Sequence, residues 1–188
     1  MKKGLGIILG IVLLLVLIVV FAVVGKYNNL VTLKENVDNA YANIDTQLER
    51  RADLIPNLVN TVKGYMNHEE KVISDVTTAR ENLLKANNAK ELSEANSKLD
   101  TALNALMVVV ENYPDLKANT NFISLQDELA GTENRIAVAR KDYNDTVKNY
   151  NGTIKKFPTN IIAGMFNFNE KAYFEVSENK KDVPEVEF

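Results

Sequence analysis

The sequence predicts an all-α protein in which an N-terminal transmembrane helix is followed by an antiparallel four-helix bundle with long first and fourth helices. Three observations lead to this prediction. An uninterrupted apolar run lies near the amino terminus, apolar residues then recur at spacings of three and four in four segments, and no convincing run of alternating β-branched residues is present. We expect residues 1–25 to form the anchor, 26–157 the bundle, and 158–188 a tail that is first aromatic and then acidic.

The apolar run extends from Leu5 to Val24, within a stretch that carries no charged residue between Lys3 and Lys26. At 1.5 Å per residue it forms a helix about 30 Å long, the thickness of a bilayer core. A cleaved signal peptide is the alternative, but its apolar region usually has about 7–15 residues and ends in a small-x-small site, so an uncleaved anchor is favoured. Gly6 and Gly10 are positions at which two such helices could approach closely. The flanking lysines do not decide the orientation.

The charge pattern and the missing residue types exclude several function classes. The chain has 22 basic residues, two of them before the apolar run, against 25 acidic residues, and its basic residues form no run longer than a pair. Nucleic-acid binding is therefore disfavoured. The chain has no cysteine, and its one histidine, His68, cannot build a zinc or di-iron site that needs two. We expect no metal, no cofactor and no catalytic activity.

The first bundle helix is predicted from Leu30 to Tyr65. Pro56 lies inside it, and because the apolar spacing continues on both sides, we expect a kink near Ala52–Ile55 rather than an end. The pattern resumes soon after Val24 without a proline, so the anchor and this helix should form a nearly continuous rod. The other helices are predicted from a capping box at Asn67 and Glu70 to Ala86, from about Ala89 to Tyr113 before Pro114, and from Phe122 through Gly131 to Phe157 before Pro158.

Arg51 lies on or next to the apolar face of the first helix, one turn before Pro56. A buried arginine needs a carboxylate or several carbonyls, because an unpaired buried charge is costly. We hypothesise that Arg51 pairs with Glu133 or Glu128 of the fourth helix and also meets carbonyls freed by Pro56. The cluster is then either an ion pair that sets the helix register or a polar ligand pocket at the kink.

Five aromatic residues fall within 18 positions of the carboxy-terminal region: Phe157, Phe166, Phe168, Tyr173 and Phe174. Such dense aromatic residues are seldom left in water. The segment Ile161–Phe174 therefore either folds back on the bundle or lies against the membrane surface, or the last four of these residues bind a partner protein. Two triplets of the N-glycosylation type, which begin at Asn144 and Asn151, are assigned no function.

Several motifs together resemble the bacterial LemA family. They are the run from Arg50 to Glu69, the segment Tyr113–Ala118, Phe122 with Leu125 and Gln126, the segment Thr132–Arg140 with Tyr143 and Asn144, and Tyr150 with Asn151. The resemblance covers about residues 4–176. It implies a single N-terminal membrane helix that carries a helical bundle, and it implies no established catalytic activity. Tyr41 departs from the pattern, since many relatives are expected to have tryptophan there.

The leading functional hypothesis is a single-pass, non-enzymatic interaction or scaffold protein of the bacterial membrane, in contact with the lipid bilayer and with other envelope proteins. A self-associating structural or membrane-stress protein, assembled as a homo-oligomer through Gly6 and Gly10 or through the bundle, is the first alternative. The second is a ligand sensor or hydrolase subunit that uses the polar residues near Pro56. The side of the membrane on which the bundle lies is left open by the sequence.

Overall fold

All regular elements are helices in the computed structural model, which describes residues 2–66 and 68–175, with side chains from residue 7 onward. This confirms the predicted all-α class. Within these described ranges the six helices are α1 (Lys2–Lys63), α2 (Glu70–Lys85), α3 (Ala89–Val110), α4 (Pro114–Lys117), α5 (Thr120–Lys155) and α6 (Thr159–Met165).

Helix α1 has 62 residues and runs without interruption from the apolar run through Pro56 to Lys63. The anchor and the first bundle helix are therefore one element, as the sequence predicted. Between Ile7 and Val24 every large apolar side chain except that of Val23 is exposed, with values from 46% for Leu17 to 75% for Phe21. Within residues 2–66 and 68–175, α1 is the one helix long and apolar enough to cross a membrane.

The described chain divides into two compact units. The anchor unit consists of residues 2–39 and 145–171. It includes the start of α1, the last part of α5 and the whole of α6. The bundle unit consists of residues 40–144 and 172–175. In the bundle unit, α1, α2, α3 and α5 each bury one apolar stripe, including Ile44, Leu48, Ile55 and Leu58 of α1, Val76 and Leu83 of α2, Leu92, Leu99 and Leu106 of α3, and Phe122, Leu129 and Ile136 of α5.

The start of α2 differs from the prediction, whereas α3 starts at Ala89 as predicted. Helix α2 begins at Glu70, and Glu69 occupies the N-cap position without a side-chain capping bond in the described part of the chain. The predicted capping box is wrong in register, since Glu70 is the first helical residue, and Asn67 lies outside the described residues. A cap that the sequence analysis missed stands before α3, where the Asn88 side chain accepts a hydrogen bond of 3.0 Å from the Glu91 amide.

Two short helices were also missed. The third predicted helix ends at Val110, and Pro114 instead opens the four-residue helix α4. Proline is suited to this first helical position because its amide donor is not needed there. After Pro158, α6 adds seven residues to the region predicted only as a tail. The longest later helix, α5, continues through Gly131 as predicted.

Candidate functional site

Arg51 joins three helices of the bundle unit. It is only 5% exposed and lies on α1 between Leu48 and Ile55, on the face that packs into the core. Its Nη1 donates to Asn96 Oδ1 at 2.8 Å and lies 2.7 Å from Glu133 Oε2, and its Nη2 lies 2.7 Å from Asp100 Oδ1. Asn96 and Asp100 belong to α3 and Glu133 to α5, so one guanidinium group connects α1 with both. We call these four residues the arginine cluster.

The arginine cluster holds one positive and two negative charges. Asn96 is completely buried, whereas the carboxylate side chains are 12% exposed for Asp100 and 34% for Glu133. The two carboxylates already compensate the guanidinium charge, so the cluster is not suited to binding an added anion. In the described part of the chain, Arg51 Nε is buried without a hydrogen-bond partner. The geometry therefore favours the reading of an ion pair that sets helix register.

The structure joins Arg51 to Glu133, one of the two carboxylates named from the sequence, and leaves Glu128 exposed. The sequence analysis missed Asn96 and Asp100. A signal was present, since Asn96 lies four residues after the buried Leu92 and three before the buried Leu99. Its helical spacing places it on the core face in spite of its polar side chain.

Arg80 of α2, rather than Arg51, meets the carbonyl that Pro56 frees. Pro56 has no amide hydrogen, so the Ala52 carbonyl, four residues earlier, loses its usual helical donor. Arg80 Nε donates to this oxygen at 2.8 Å. We expected Arg51 to meet the carbonyls that Pro56 frees, and for the Ala52 carbonyl this expectation is wrong. The backbone hydrogen bond that α1 lacks at Pro56 is replaced by one from a neighbouring helix, and α2 gains a fixed contact with α1.

An open cleft of about 410 Å³ lies between α1 and α5 within the bundle unit. It is lined by Ala40, Asn43, Gln47, Asn134, Arg135, Val138, Ala139 and Asp142. Val138 is 61% exposed, and Gln47 Oε1 is buried without a hydrogen-bond partner in the described part of the chain. Amide groups, one positive and one negative side chain, and apolar side chains therefore meet on one open surface. We call this surface the α1–α5 cleft.

In the bundle unit, side chains of α5 bind the backbone of residues 172–174. The Asn144 amide donates to the Phe174 carbonyl at 3.0 Å and accepts from the Phe174 amide at 2.8 Å. The Tyr143 hydroxyl donates to the Ala172 carbonyl at 2.8 Å, and Ser93 of α3 donates to the carbonyl of Glu175. Phe174 is 2% exposed, and the Arg140 guanidinium carbon lies 5.2 Å from the centre of its ring.

The anchor unit repeats this two-way contact at another asparagine. Asn151 Nδ2 donates to the Lys171 carbonyl at 2.8 Å, and its Oδ1 accepts from the Lys171 amide at 2.9 Å. The Lys171 ammonium lies 2.8 Å from Asp38. Burial, followed by the nearby Asp38 charge, raises the pKa of Tyr150. Asn144 and Asn151, which were assigned no function from the sequence, are thus among the residues that bind the carboxy-terminal segment.

The four aromatic residues for which partner binding was one of the predicted alternatives lie in different surroundings. Phe174 is buried, Phe168 is half-buried, and Phe166 and Tyr173 are 46% and 44% exposed. The Tyr27 ring of the anchor unit lies 4.8 Å from the Phe166 ring and 5.7 Å from the Phe168 ring, both edge to face. In the apolar span of α1, Gly10 has open space where a side chain would stand. Gly6 lies in the part of α1 whose backbone alone is described.

Comparisons with known proteins agree with the resemblance seen in the motifs. The model of the LemA family matches residues 40–188. Protein LemA of Metamycoplasma hominis is 29% identical over 159 residues, which cover 84% of this chain and 73% of that protein. Magnetosome protein MamQ 2 of Paramagnetospirillum magneticum is 28% identical over 176 residues, and MamQ of Magnetospirillum gryphiswaldense is 25% identical over 175 residues. These alignments cover 80% and 79% of this chain but only 65% and 64% of the magnetosome proteins.

Proposed function

The chain belongs to the LemA family, and we propose that it is a single-pass, membrane-anchored helical interaction protein of the bacterial envelope that acts by binding other proteins rather than by catalysis. One observation carries the proposal. The uninterrupted helix α1 contains both the exposed apolar span of residues 7–24 and, further along, the Arg51 side chain that joins α3 and α5. One element therefore supplies both an anchor and part of a fixed bundle.

The exposed apolar span supports the membrane anchor. Leaving so many aliphatic side chains in water costs roughly 25 cal/mol for each Å² of apolar surface, and insertion into a bilayer removes this cost. The relatives named as magnetosome proteins match this chain over most of its length.

The α1–α5 cleft supports protein binding as the activity. Its polar side chains are drawn from two helices that the arginine cluster holds in register, so the binding groups do not have to be ordered when a partner arrives. The arginine cluster itself takes a structural role in this proposal, because both terminal nitrogens of Arg51 are engaged by protein side chains.

Site-directed photocrosslinking in native membranes tests the proposal. A photoreactive residue at Val138, in the cleft, is compared with one at Val108, which is 70% exposed on α3 and does not line the cleft. We expect a discrete adduct with another protein from position 138 and none from position 108. An adduct of twice the chain mass of 21.0 kDa would instead support the self-associating alternative. Absence of any adduct at position 138, or equal adducts at both positions, would refute binding at the cleft.

A further inference from the structure

Three apolar side chains in and just before α6 are exposed in the anchor unit. They are Phe157 at 80%, Ile161 at 54% and Met165 at 69% exposure. The other face of α6 is buried through Thr159, Ile162 and Ala163. Helix α6 therefore uses one face for the core of the unit and exposes Ile161 and Met165, while Phe157 is exposed two residues before the helix begins. We call Phe157, Ile161 and Met165 the α6 ridge.

The α6 ridge ends next to the first turn of α1 beyond the apolar span. Phe166 directly follows Met165, and its ring lies 4.8 Å from that of Tyr27, which is three residues after Val24. In the same unit, Lys171 contacts Asp38, which is 11 positions further along α1 than Tyr27, or about 17 Å along the helix axis. The chain after α6 thus runs along α1 away from the span. Among the residues from the α6 ridge to Lys171, the ridge lies at the end nearest to the span.

We infer that the α6 ridge inserts into the headgroup and upper acyl region of the bilayer that α1 crosses. Partly buried apolar helix faces are typical of proteins that lie in this region, and tyrosine and other aromatic rings concentrate at the same depth. The Tyr27, Phe166 and Phe168 rings form such an aromatic group immediately outside the span. Lys26 and Lys156 adjoin Tyr27 and Phe157 in the sequence and supply positive charge for anionic headgroups.

Continuity with the span identifies lipid as the occupant of this surface. An exposed apolar patch of this kind also fits a protein partner or a second copy of the chain. Any such partner would have to displace lipid at the level where α1 leaves the hydrocarbon, whereas the bilayer is already present there. The inference rests on the membrane insertion that the proposed function contains, and the experiment below separates the failure of one from the failure of the other.

Because the chain contains no tryptophan, a single introduced tryptophan reports its own depth. The full-length variants Ile161→Trp and Met165→Trp are reconstituted in phosphatidylcholine vesicles whose acyl chains are brominated near the headgroup, which quenches nearby tryptophan fluorescence. Phe21→Trp, inside the span, is the positive control. Val108→Trp, 70% exposed in the bundle unit, is the matched negative control.

We expect both α6 variants to be quenched at least half as strongly as Phe21→Trp, and Val108→Trp not to be quenched. If the α6 variants behave like Val108→Trp while Phe21→Trp is quenched, the inference is overturned and the anchor stands. A blue-shifted emission from Met165→Trp without quenching by bromine would identify a protein partner or a second copy and would also overturn it. Loss of quenching at Phe21→Trp would reject the proposed anchor itself.

Discussion

Arg51 is held in the bundle by groups from two other helices, and its energetic role follows from its burial. Bringing a guanidinium out of water is costly, so a buried ion pair is not by itself a large source of stability. Removing one member of the pair is nevertheless strongly destabilising, because the remaining charges are left buried and uncompensated. A substitution at any single position of the arginine cluster should therefore lower the free energy of unfolding by more than the cluster as a whole contributes to it.

The substitution Arg51→Met is expected to lower the free energy of unfolding by about 3 kcal/mol, since it removes the guanidinium charge that faces Asp100, whose side chain is only 12% exposed. Urea unfolding of the full chain in mild detergent, followed by circular dichroism, measures this change. Arg50→Met is the matched control, because Arg50 is exposed and its loss should cost no more than about 0.5 kcal/mol. Adding Asp100→Leu to Arg51→Met should recover part of the loss. Equal stability of the two single variants would contradict the role assigned to Arg51.

Arg80 and Pro56 should be energetically coupled through the Ala52 carbonyl. Replacing Arg80 by methionine leaves this carbonyl without its donor and should cost about 1–2 kcal/mol. In a Pro56→Ala background, the restored amide of residue 56 bonds to Ala52, so the same change should cost less. A double-mutant cycle on unfolding free energies measures the coupling, which we expect to exceed about 0.5 kcal/mol. Strictly additive effects would show that Arg80 does not compensate for Pro56.

The sequence places Arg51 on the core face and names Glu133 and Glu128 as candidate partners because helical spacing fixes which side chains share a face. It does not select Asn96, because a single sequence gives no angular relation between α3 and α1. A polar residue on a core face is normally read as a boundary of the apolar stripe. The contact between Arg80 and Ala52 joins residues 28 positions apart, and this separation is set by the packing of α2 rather than by any local pattern.

At the scale of whole elements, α3 begins with a cap that should be sensitive to pH. The Glu91 carboxylate accepts a hydrogen bond of 2.9 Å from the Asn87 amide. This bond, followed by the contact with Asn88, lowers the pKa of Glu91 below its ordinary value of 4.5. Since the folded state binds this proton more weakly, the contribution to stability is present above pH 4.5 and is lost as the pH falls through the lower folded value.

The variant Glu91→Gln should therefore be less stable than the wild type at pH 7 and should approach it in stability at pH 3. Thermal unfolding of both proteins at the two pH values gives the comparison. Glu94→Gln is the control, since Glu94 lies on the same helix, is exposed and caps no amide in the described residues. A difference between Glu91→Gln and the wild type that does not change between pH 7 and pH 3 would speak against a role for the carboxylate charge.

The segment after α6 is bound through its backbone. In the bundle unit, Asn144 should determine how strongly the backbone of Phe174 is bound. An asparagine side chain carries both a donor and an acceptor, which is what the amide and carbonyl of Phe174 require. Asn144→Ala should increase hydrogen exchange at the Phe174 amide at least tenfold while leaving the amides of α3 protected. Asn149→Ala, at an exposed position of α5, should change neither. Unchanged exchange at Phe174 in Asn144→Ala would mean that burial of its ring is sufficient.

The long elements could be predicted and the short ones could not. Helix α5 was predicted through Gly131 because its apolar spacing continues over ten turns, and one glycine costs only about 1 kcal/mol. Helices α4 and α6 have four and seven residues, too few for a periodic pattern to be distinguished from chance. Fold-back of residues 161–174 was one of the predicted alternatives because of their dense aromatic residues. The asparagine side chains that bind the backbone of residues 171–174 could not be predicted, because they leave no hydrophobic pattern in the sequence.

At the scale of the whole molecule, the apolar span must supply enough free energy to hold the protein in a membrane. Near the centre of such a helix, each Leu, Ile, Val or Phe contributes about −0.3 to −0.6 kcal/mol, whereas one Arg costs about +2.5 to +3.5 kcal/mol. One central arginine thus offsets roughly seven aliphatic residues, and two offset most of residues 7–24. The span should therefore tolerate one arginine and fail with two.

Leu14→Arg should leave the protein in the membrane fraction after extraction at high pH, and Leu14→Arg combined with Leu17→Arg should release most of it. The paired control, Leu14→Ala with Leu17→Ala, shortens the same side chains without adding charge and should remain inserted. The arginine cluster and the α6 ridge are unaltered in every variant, so any release is due to the span. Full retention of the double arginine variant would show that residues 7–24 are not the principal anchor, and the α6 ridge would then be the first surface to mutate in its place.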